Sequence, residues 1–238
     1  KMMNYKNKNV IIENWGLLNY KYAWNKQEEI LQKIIDVKIN NRKINNIKET
    51  PNYIIFLEHF PVYSIGKNGN KNNLLINNSA LLKYGIDYVK TNRGGDITFH
   101  GPGQIVVYPI LDLENFFTDI NKYLRKLEQV IIDTLADYNL KGERSSDETG
   151  VWLSPNTPFA RKICAIGVRA SRWVTMHGFA LNINTDLSYF ENIIPCGING
   201  KAVTSLKKEL KKNISLNEVQ LKIISHFQNN FDANLIYK

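Results

Sequence analysis

Residues 93–109 read RGGDITFHGPGQIVVYP. Gly94, Gly95, Gly101 and Gly103, with Pro102, surround Arg93, Asp96, His100 and Gln104, and the run passes directly into an apolar strand. Glycine has no Cβ, so its backbone can approach a ligand closely and present bare N–H groups. A plain hairpin needs one or two glycines. Four of them, interleaved with a histidine and an arginine, read as a binding loop fixed to a strand. No glycine-rich loop of the chain ends in Gly-Lys-Ser/Thr, so the P-loop reading, and ATP hydrolysis with it, has no support.

Outward from this loop, strand and helix signals alternate. Residues 10–13, 53–58, 86–91, 104–113, 162–170 and 179–184 are β-branched or apolar enough for strands. Residues 19–40 and 116–138 repeat apolar side chains at three and four, the helical spacing. Ser215-Leu216-Asn217-Glu218 is a capping box opening a last helix that carries Val219, Ile223, Ile224 and Phe227 on one face. No Pro/Gly/Ser linker interrupts the 238 residues. The expected architecture is α+β, a central mixed β-sheet flanked by helices, in one domain over 1–238 with room for a smaller lobe within 195–238.

Composition closes off several function classes. With 43% hydrophobic and 22% charged residues the chain is globular. It holds no apolar run of transmembrane length. Two cysteines, Cys164 and Cys196, are too few for a disulfide framework and point to a reducing compartment. Four histidines without HExxH or CxxC spacing give no metal motif. The net charge is +9, but 24 lysines against 7 arginines, among many Asn and Ile, read as AT-rich codon usage. A basic nucleic-acid-binding domain is therefore the weaker alternative, since base readout leans on arginine. The start, Lys1-Met2-Met3, reads as a removed leader or a trimmed beginning.

Three further segments carry chemistry. Residues 162–169, KICAIGVR, put Lys162 at the head of a strand, and strict alternation sets Cys164 on its face. Residues 175–182, TMHGFALN, offer His177 either as a base for a thiol or as a histidine satisfied by backbone. In residues 193–198, IIPCGI, Cys196 sits between Pro195 and Gly197, a tight turn whose exposed amides favour a thiolate.

In this order the segments resemble the lipoyl(octanoyl) transferase family, the octanoyl-acyl-carrier-protein:protein N-octanoyltransferases, within the biotin/lipoate protein ligase catalytic-domain superfamily. The resemblance covers about residues 53–206, with FLEHFPVYSIGK (56–67), GVWL (150–153) and VTSL (203–206) as supporting matches. It implies that Cys196 carries an acyl thioester and that Lys162 tunes it. It also implies that Arg93, Gly94, Gly95, Asp96, Ile97, Thr98, Phe99 and His100, with Ala165, Ile166 and Gly167 and with Gly178, Phe179 and Ala180, line the acyl site. Ile97, Phe99 and Phe179 are the candidate walls of an apolar slot. The implied reaction takes octanoyl from acyl carrier protein to a lysine of lipoyl domains, in 2-oxoacid dehydrogenase E2 subunits or the glycine cleavage H protein. No cofactor or metal is implied beyond the carrier's phosphopantetheine, and no nucleic-acid or membrane partner. A plastid-type organelle is the preferred setting, with mitochondrial matrix or bacterial cytoplasm as alternatives. An ATP-dependent lipoate–protein ligase of the same fold is the nearest rival; it would not need Cys196.

Two mechanistic expectations go with this reading. Acylation would strip Lys162 of its counter-charge and free it as a base for the incoming amine. Lys201, Lys207, Lys208, Lys211 and Lys212, just after the cysteine turn, would steer acidic carriers.

Overall fold

The structure, a computed structural model, describes residues 6–43, 47–146, 148–194 and 202–238. In chain order the elements are β1 (Asn9–Leu18), α1 (Tyr20–Asn41), β2 (Asn52–His59), β3 (Val62–Ile65), α2 (Asn78–Tyr84), β4 (Asp87–Lys90), β5 (Ile97–His100), β6 (Gln104–Ile110), α3 (Ile120–Ala136), β7 (Gly142–Glu143), β8 (Gly150–Leu153), β9 (Arg161–Ser171), β10 (Val174–Asn182), β11 (Ala202–Val203), α4 (Leu206–Leu210), α5 (Leu216–Phe231) and β12 (Asn234–Tyr237). Among the described residues the large sheet runs β12-β1-β2-β6-β10-β9-β8-β7, with β11 added beside β9. β1 is parallel to both β12 and β2, while β2, β6, β10, β9 and β8 pair antiparallel in turn. The expected mixed sheet with flanking helices is what the chain forms.

One face of the sheet carries α3 and α5. Tyr123, Leu127, Val130, Ile131 and Leu135 of α3 meet Val219, Ile223, Phe227 and Phe231 of α5 over Val107, Phe179 and Leu181. The segment after residue 201 is thus part of this core. The other face receives α1 through Ala23, Leu31, Ile34 and Ile35, packed on Val106, Tyr108, Ile110, Met176 and Ala180. Caps fix the helix starts, that of α5 where the capping box indicates. Asn19 Oδ1 accepts from the amides of Lys21 and Tyr22, Asp119 from that of Lys122, and Ser215 Oγ from that of Glu218.

A second sheet, β4-β3-β5, stands beside the first. Residues 93–109 join the two: β5 belongs to the small sheet and β6 to the large one. The glycine-rich loop is therefore held at the junction. Helix α3 begins at Ile120 rather than at residue 116, because Asp119 caps it there; Phe116 and Phe117 instead pack against Phe231.

Candidate functional site

Between the glycine-rich loop and strands β9 and β10 lies a cavity of about 420 Å³, a usual size for a small-ligand site. Its room comes from small side chains. Ala165 and Gly167 of β9 stand in register with Ala180 and Gly178 of β10, four residues of one sheet face that leave a trough. Gly167 is tightly covered: a Cβ there would lie 2.8 Å from the Gly94 carbonyl oxygen and 3.3 Å from Arg93 Cδ. At Gly178 a Cβ would lie 2.1 Å from the Val107 carbonyl oxygen.

Of the residues expected to line an acyl site, Arg93, Gly94, Gly95, Asp96, Ile97, Thr98, His100, Lys162, Ala165, Ile166, Gly167, Gly178, Phe179 and Ala180 all border this cavity. Phe99 does not. Its ring stacks on Tyr189 at 4.4 Å and packs edge-on to Phe190 in the core of the small sheet. Alternation along β5 turns it away from its neighbours in sequence. Cys196, with Pro195, Gly197 and Lys201, lies outside the described residues.

The chain rejoins the described fold at β11, where Val203 pairs with Lys162 and the Thr204 amide donates to the Lys162 carbonyl oxygen at 2.9 Å. Val203 borders the cavity. On the other side, the Ile194 amide donates to the Asn73 carbonyl oxygen at 2.8 Å and Ile193 bridges Leu74.

Lys162 Nζ is 3.0 Å from Glu148 Oε2 and 4.8 Å from the centre of the Trp152 ring. Both members of the pair are mostly buried, at 13% and 12% side-chain exposure. Glu148 itself borders the cavity. Its segment is fixed from α3 by Glu128, a fully buried carboxylate that accepts from the Gly150 amide and from Arg144 and Arg125. Sequence reading missed Glu148; its only signal was its place two residues before the GVWL match.

Cys164 is not on the Lys162 side. The β8–β9 register shifts between Val151, opposite Cys164, and Trp152, opposite Lys162, so Ile163 has no partner. The extra residue resets the alternation. Cys164 is fully buried in the core beneath α3, and burial pushes its thiol well above the ordinary range.

The opposite end of the cavity is polar. Arg93 donates to the carbonyl oxygens of Ser64, Gly94 and Asp96 and to Ser64 Oγ, at 2.7–3.0 Å. Ser64 Oγ meets His100 Nε2 at 3.1 Å, and His100 Nδ1 meets Gln104 Oε1 at 2.8 Å. Gln104 Nε2 donates to Asn182 Oδ1, and Asn182 Nδ2 donates to the Thr204 carbonyl oxygen. One chain of hydrogen bonds thus runs from the glycine-rich loop to the segment paired with Lys162. Arg93 holds the loop's backbone, and Asp96 accepts from Asn70, Asn73 and Ile97.

His177 does not behave as a general base. Burial first, then the charges of Arg93 and Arg169, bring its pKa down to about 3. Its Nε2 lies 2.8 Å from Asn92 Oδ1. Because Asn92 Nδ2 donates to Glu28, the oxygen faces the ring and Nε2 carries the proton. Burial likewise lowers His59 to about 4 and holds His100 well below its usual value. All three imidazoles are neutral at pH 7. Among the described residues no group of three or more His, Cys, Asp or Glu is arranged to hold a metal ion.

Against known proteins, the family described as "Lipoyl protein ligase A/B catalytic domain" matches residues 19–228. The "Octanoyltransferase" of Christiangramia forsetii is 60% identical over 98% of this chain and 100% of its own length. That of Flavobacterium psychrophilum is 59% identical over 97% and 100%. Among solved structures, the bipartite lipoate protein ligase of Thermoplasma acidophilum covers 98% of this chain and 86% of its own, at a TM-score of 0.66 and 14% identity. Lipoate-protein ligase A bound with ATP covers 98% and 88%, at 0.68 and 13%. These two show the fold.

Proposed function

The chain belongs to the lipoyl protein ligase A/B catalytic-domain family, and we propose that it works as an octanoyltransferase serving protein lipoylation, with Cys196 as nucleophile and Lys162 beside it. The thiolate of Cys196 attacks the carbonyl of an octanoyl thioester on acyl carrier protein. A new C–S bond forms, the donor's C–S bond breaks, and the carrier thiolate leaves and takes up a proton. The ε-amine of a lipoyl-domain lysine then attacks the acyl-enzyme. An amide forms, the Cys196 sulfur leaves as thiolate, and the amine's surplus proton passes to solvent. Thioester to thioester is near neutral and thioester to amide is downhill, so neither ATP nor a resident cofactor is required.

The observation that supports this reading is the pairing of Val203 with Lys162 at the cavity, seven residues after Cys196 in the chain. The trough of Ala165, Gly167, Gly178 and Ala180 suits an unbranched chain. Fully burying eight carbons contributes up to about 6 kcal/mol, at about 0.8 per methylene. Lys207, Lys208, Lys211 and Lys212 are exposed around α4, where they would meet acidic carrier and lipoyl domains. The relatives with this name come from bacteria, which favours a bacterial cytoplasm over the plastid-type organelle preferred from sequence.

Incubation with octanoyl carrier protein, followed by intact-mass and peptide analysis, tests the proposal. One octanoyl adduct on Cys196 is expected, absent in Cys196→Ala. An adduct on Cys164 overturns the assignment. Transfer retained by Cys196→Ala in the presence of ATP favours the ligase instead.

A further inference from the structure

A second cleft, of about 800 Å³, opens beyond the end of β10, between residues 184–187 and 205–213. Its two walls are tied together. The Lys207 amide donates to the Ile183 carbonyl oxygen at 2.8 Å. Asn184 holds Ile214 twice, Nδ2 donating to its carbonyl oxygen and Oδ1 accepting from its amide. Lys207, Lys208, Lys211 and Lys212 border the cleft and are exposed. Lys211 ends α4 in the left-handed region, at φ +56°, and the chain turns there with Lys212 still on the cleft. The acidic groups nearby are already engaged. Glu209 holds Arg161 through both carboxylate oxygens. Asp186, which also borders the cleft, accepts from the amide and the hydroxyl of Ser188. Elsewhere lysines find carboxylates, as Lys8, Lys141 and Lys222 do; among the described residues none of these four forms an ion pair.

Thr185 adds a second feature. It is 5% exposed, borders the cleft, and has a hydroxyl without a partner. The first amides of α4 are taken, that of Lys207 by Ile183 and that of Lys208 by Ser205 Oγ. Recognition therefore falls to ammonium groups and a hydroxyl, donors suited to a compact oxyanion. The cleft is also within reach of the reacting group. Continued past Leu181 and Cys164, the β9–β10 register sets Ile183 opposite Lys162. At about 5 Å between strands, the Lys207 backbone then stands about 10 Å from that of Lys162. A carrier-bound thioester ends a phosphopantetheine arm, with about thirteen bonds between phosphorus and sulfur, or about 16 Å when extended. Such an arm spans from Lys162 to the lysine cleft.

We infer that this cleft is a phosphate subsite for the acyl donor. Lys207, Lys208, Lys211 and Lys212 hold the phosphodiester that joins the arm to its carrier, while the thioester lies beside Lys162. The phosphodiester is an anion at neutral pH, with two free oxygens for the ammonium groups. The acceptor brings an amine instead, so the subsite acts in loading of the enzyme.

The inference rests on the octanoyltransferase reading, and one experiment separates the two. Octanoyl-4′-phosphopantetheine and octanoyl-pantetheine differ only in the phosphate, which stands in for the carrier's phosphodiester. Single-turnover loading of the full chain from each, well below saturation, is followed by intact mass, with octanoyl carrier protein as the reference donor. The phosphorylated donor should load about tenfold faster at low ionic strength, the worth of one charge-assisted hydrogen bond. In about 0.5 M salt, screening should shrink that ratio to about threefold or less. A double variant, Lys207→Ala with Lys211→Ala, should shrink it as far without salt. Lys21→Ala with Lys33→Ala removes the same charge from exposed positions of α1 and should keep the ratio. Equal rates overturn the subsite, as does an equal loss in the α1 variant. So does a phosphorylated donor that fails to load where octanoyl carrier protein loads. No loading from the carrier protein itself overturns the octanoyltransferase reading instead.

Discussion

Two glycines that look alike in sequence should respond in opposite ways to alanine. At Gly94 an added Cβ meets nothing nearer than the Val168 carbonyl oxygen at 3.5 Å, and its φ is not positive. At Gly167 the same Cβ would stand 2.8 Å from the Gly94 oxygen, about 0.6 Å inside ordinary contact. Neither side can yield freely. Gly167 lies in mid-strand opposite Gly178, and Gly94 is tied to β9 by its amide bond to Val168, 2.9 Å long. Overpacking of this kind costs about 1–3 kcal/mol. For a chain of this size about 2–4 °C of Tm follows each kcal/mol, so Gly167→Ala should melt about 2–12 °C lower. Displacing the loop also moves Arg93 and narrows the trough, so octanoyl loading should fall more than tenfold. Gly94→Ala should stay within about 1 °C of the parent and load normally. Calorimetric melting and single-turnover mass measurements read both. Refutation is plain: Gly167→Ala that melts and loads like the parent, or Gly94→Ala that suffers equally.

Other expectations follow from the same geometry. The folded pKa values of His59 and His177, about 4 and about 3, lie below the unfolded value of about 6.5. The unfolded chain therefore binds protons first as pH falls. Stability held above pH 6.5 should drain away between there and about pH 4, by up to about 1.4 kcal/mol per pH unit for each histidine; urea midpoints at pH 7, 6 and 5 measure it, and His59→Gln should reduce the slope. Cys164→Ala, at a buried core position, should lower stability by about 1 kcal/mol and leave acyl loading unchanged by mass. Glu148→Gln removes a negative charge beside Lys162, so the pH midpoint for alkylation of Cys196 should move down, whereas Lys162→Ala should move it up.

The fold was legible where pattern and length agree. The three-and-four repeat in α3, the capping box of α5 and the apolar runs of β2 and β6 all form as read. Strands β3 and β5 were not, because four-residue strands that are wholly or mostly buried between turns are too short to show a periodicity. The glycine-rich loop pointed correctly to the cavity, yet its role is divided: Arg93 and His100 hold backbone and neighbours, while Phe99 faces another core. Alternation misassigned Cys164 because a bulge is a register event between strands, invisible in one strand's sequence. Glu148 escaped notice for a similar reason. Its meaning comes from Lys162, 14 residues away, and from Glu128, which fixes its segment.

What Lys162 contributes can be bounded. A thiol of pKa about 8.5 is about 3% ionised at pH 7. A two-unit drop raises that about 25-fold, while falling nucleophilicity returns about tenfold, so ionisation alone yields two- or threefold. On the sequence alone, the larger share falls to a base set free once acylation removes the thiolate. The geometry supplies a second counter-charge, because Glu148 Oε2 lies 3.0 Å from the ammonium. A cation held by a carboxylate and an indole ring is a fixed charge. Placed beside a reacting carbonyl, it stabilises the oxyanion of both tetrahedral intermediates. Lys162→Ala should therefore slow acyl loading and amide formation by similar factors, each well beyond threefold. If amide formation alone collapses while loading stays within threefold, the lysine works as a base after all and the Glu148 pair must open during turnover.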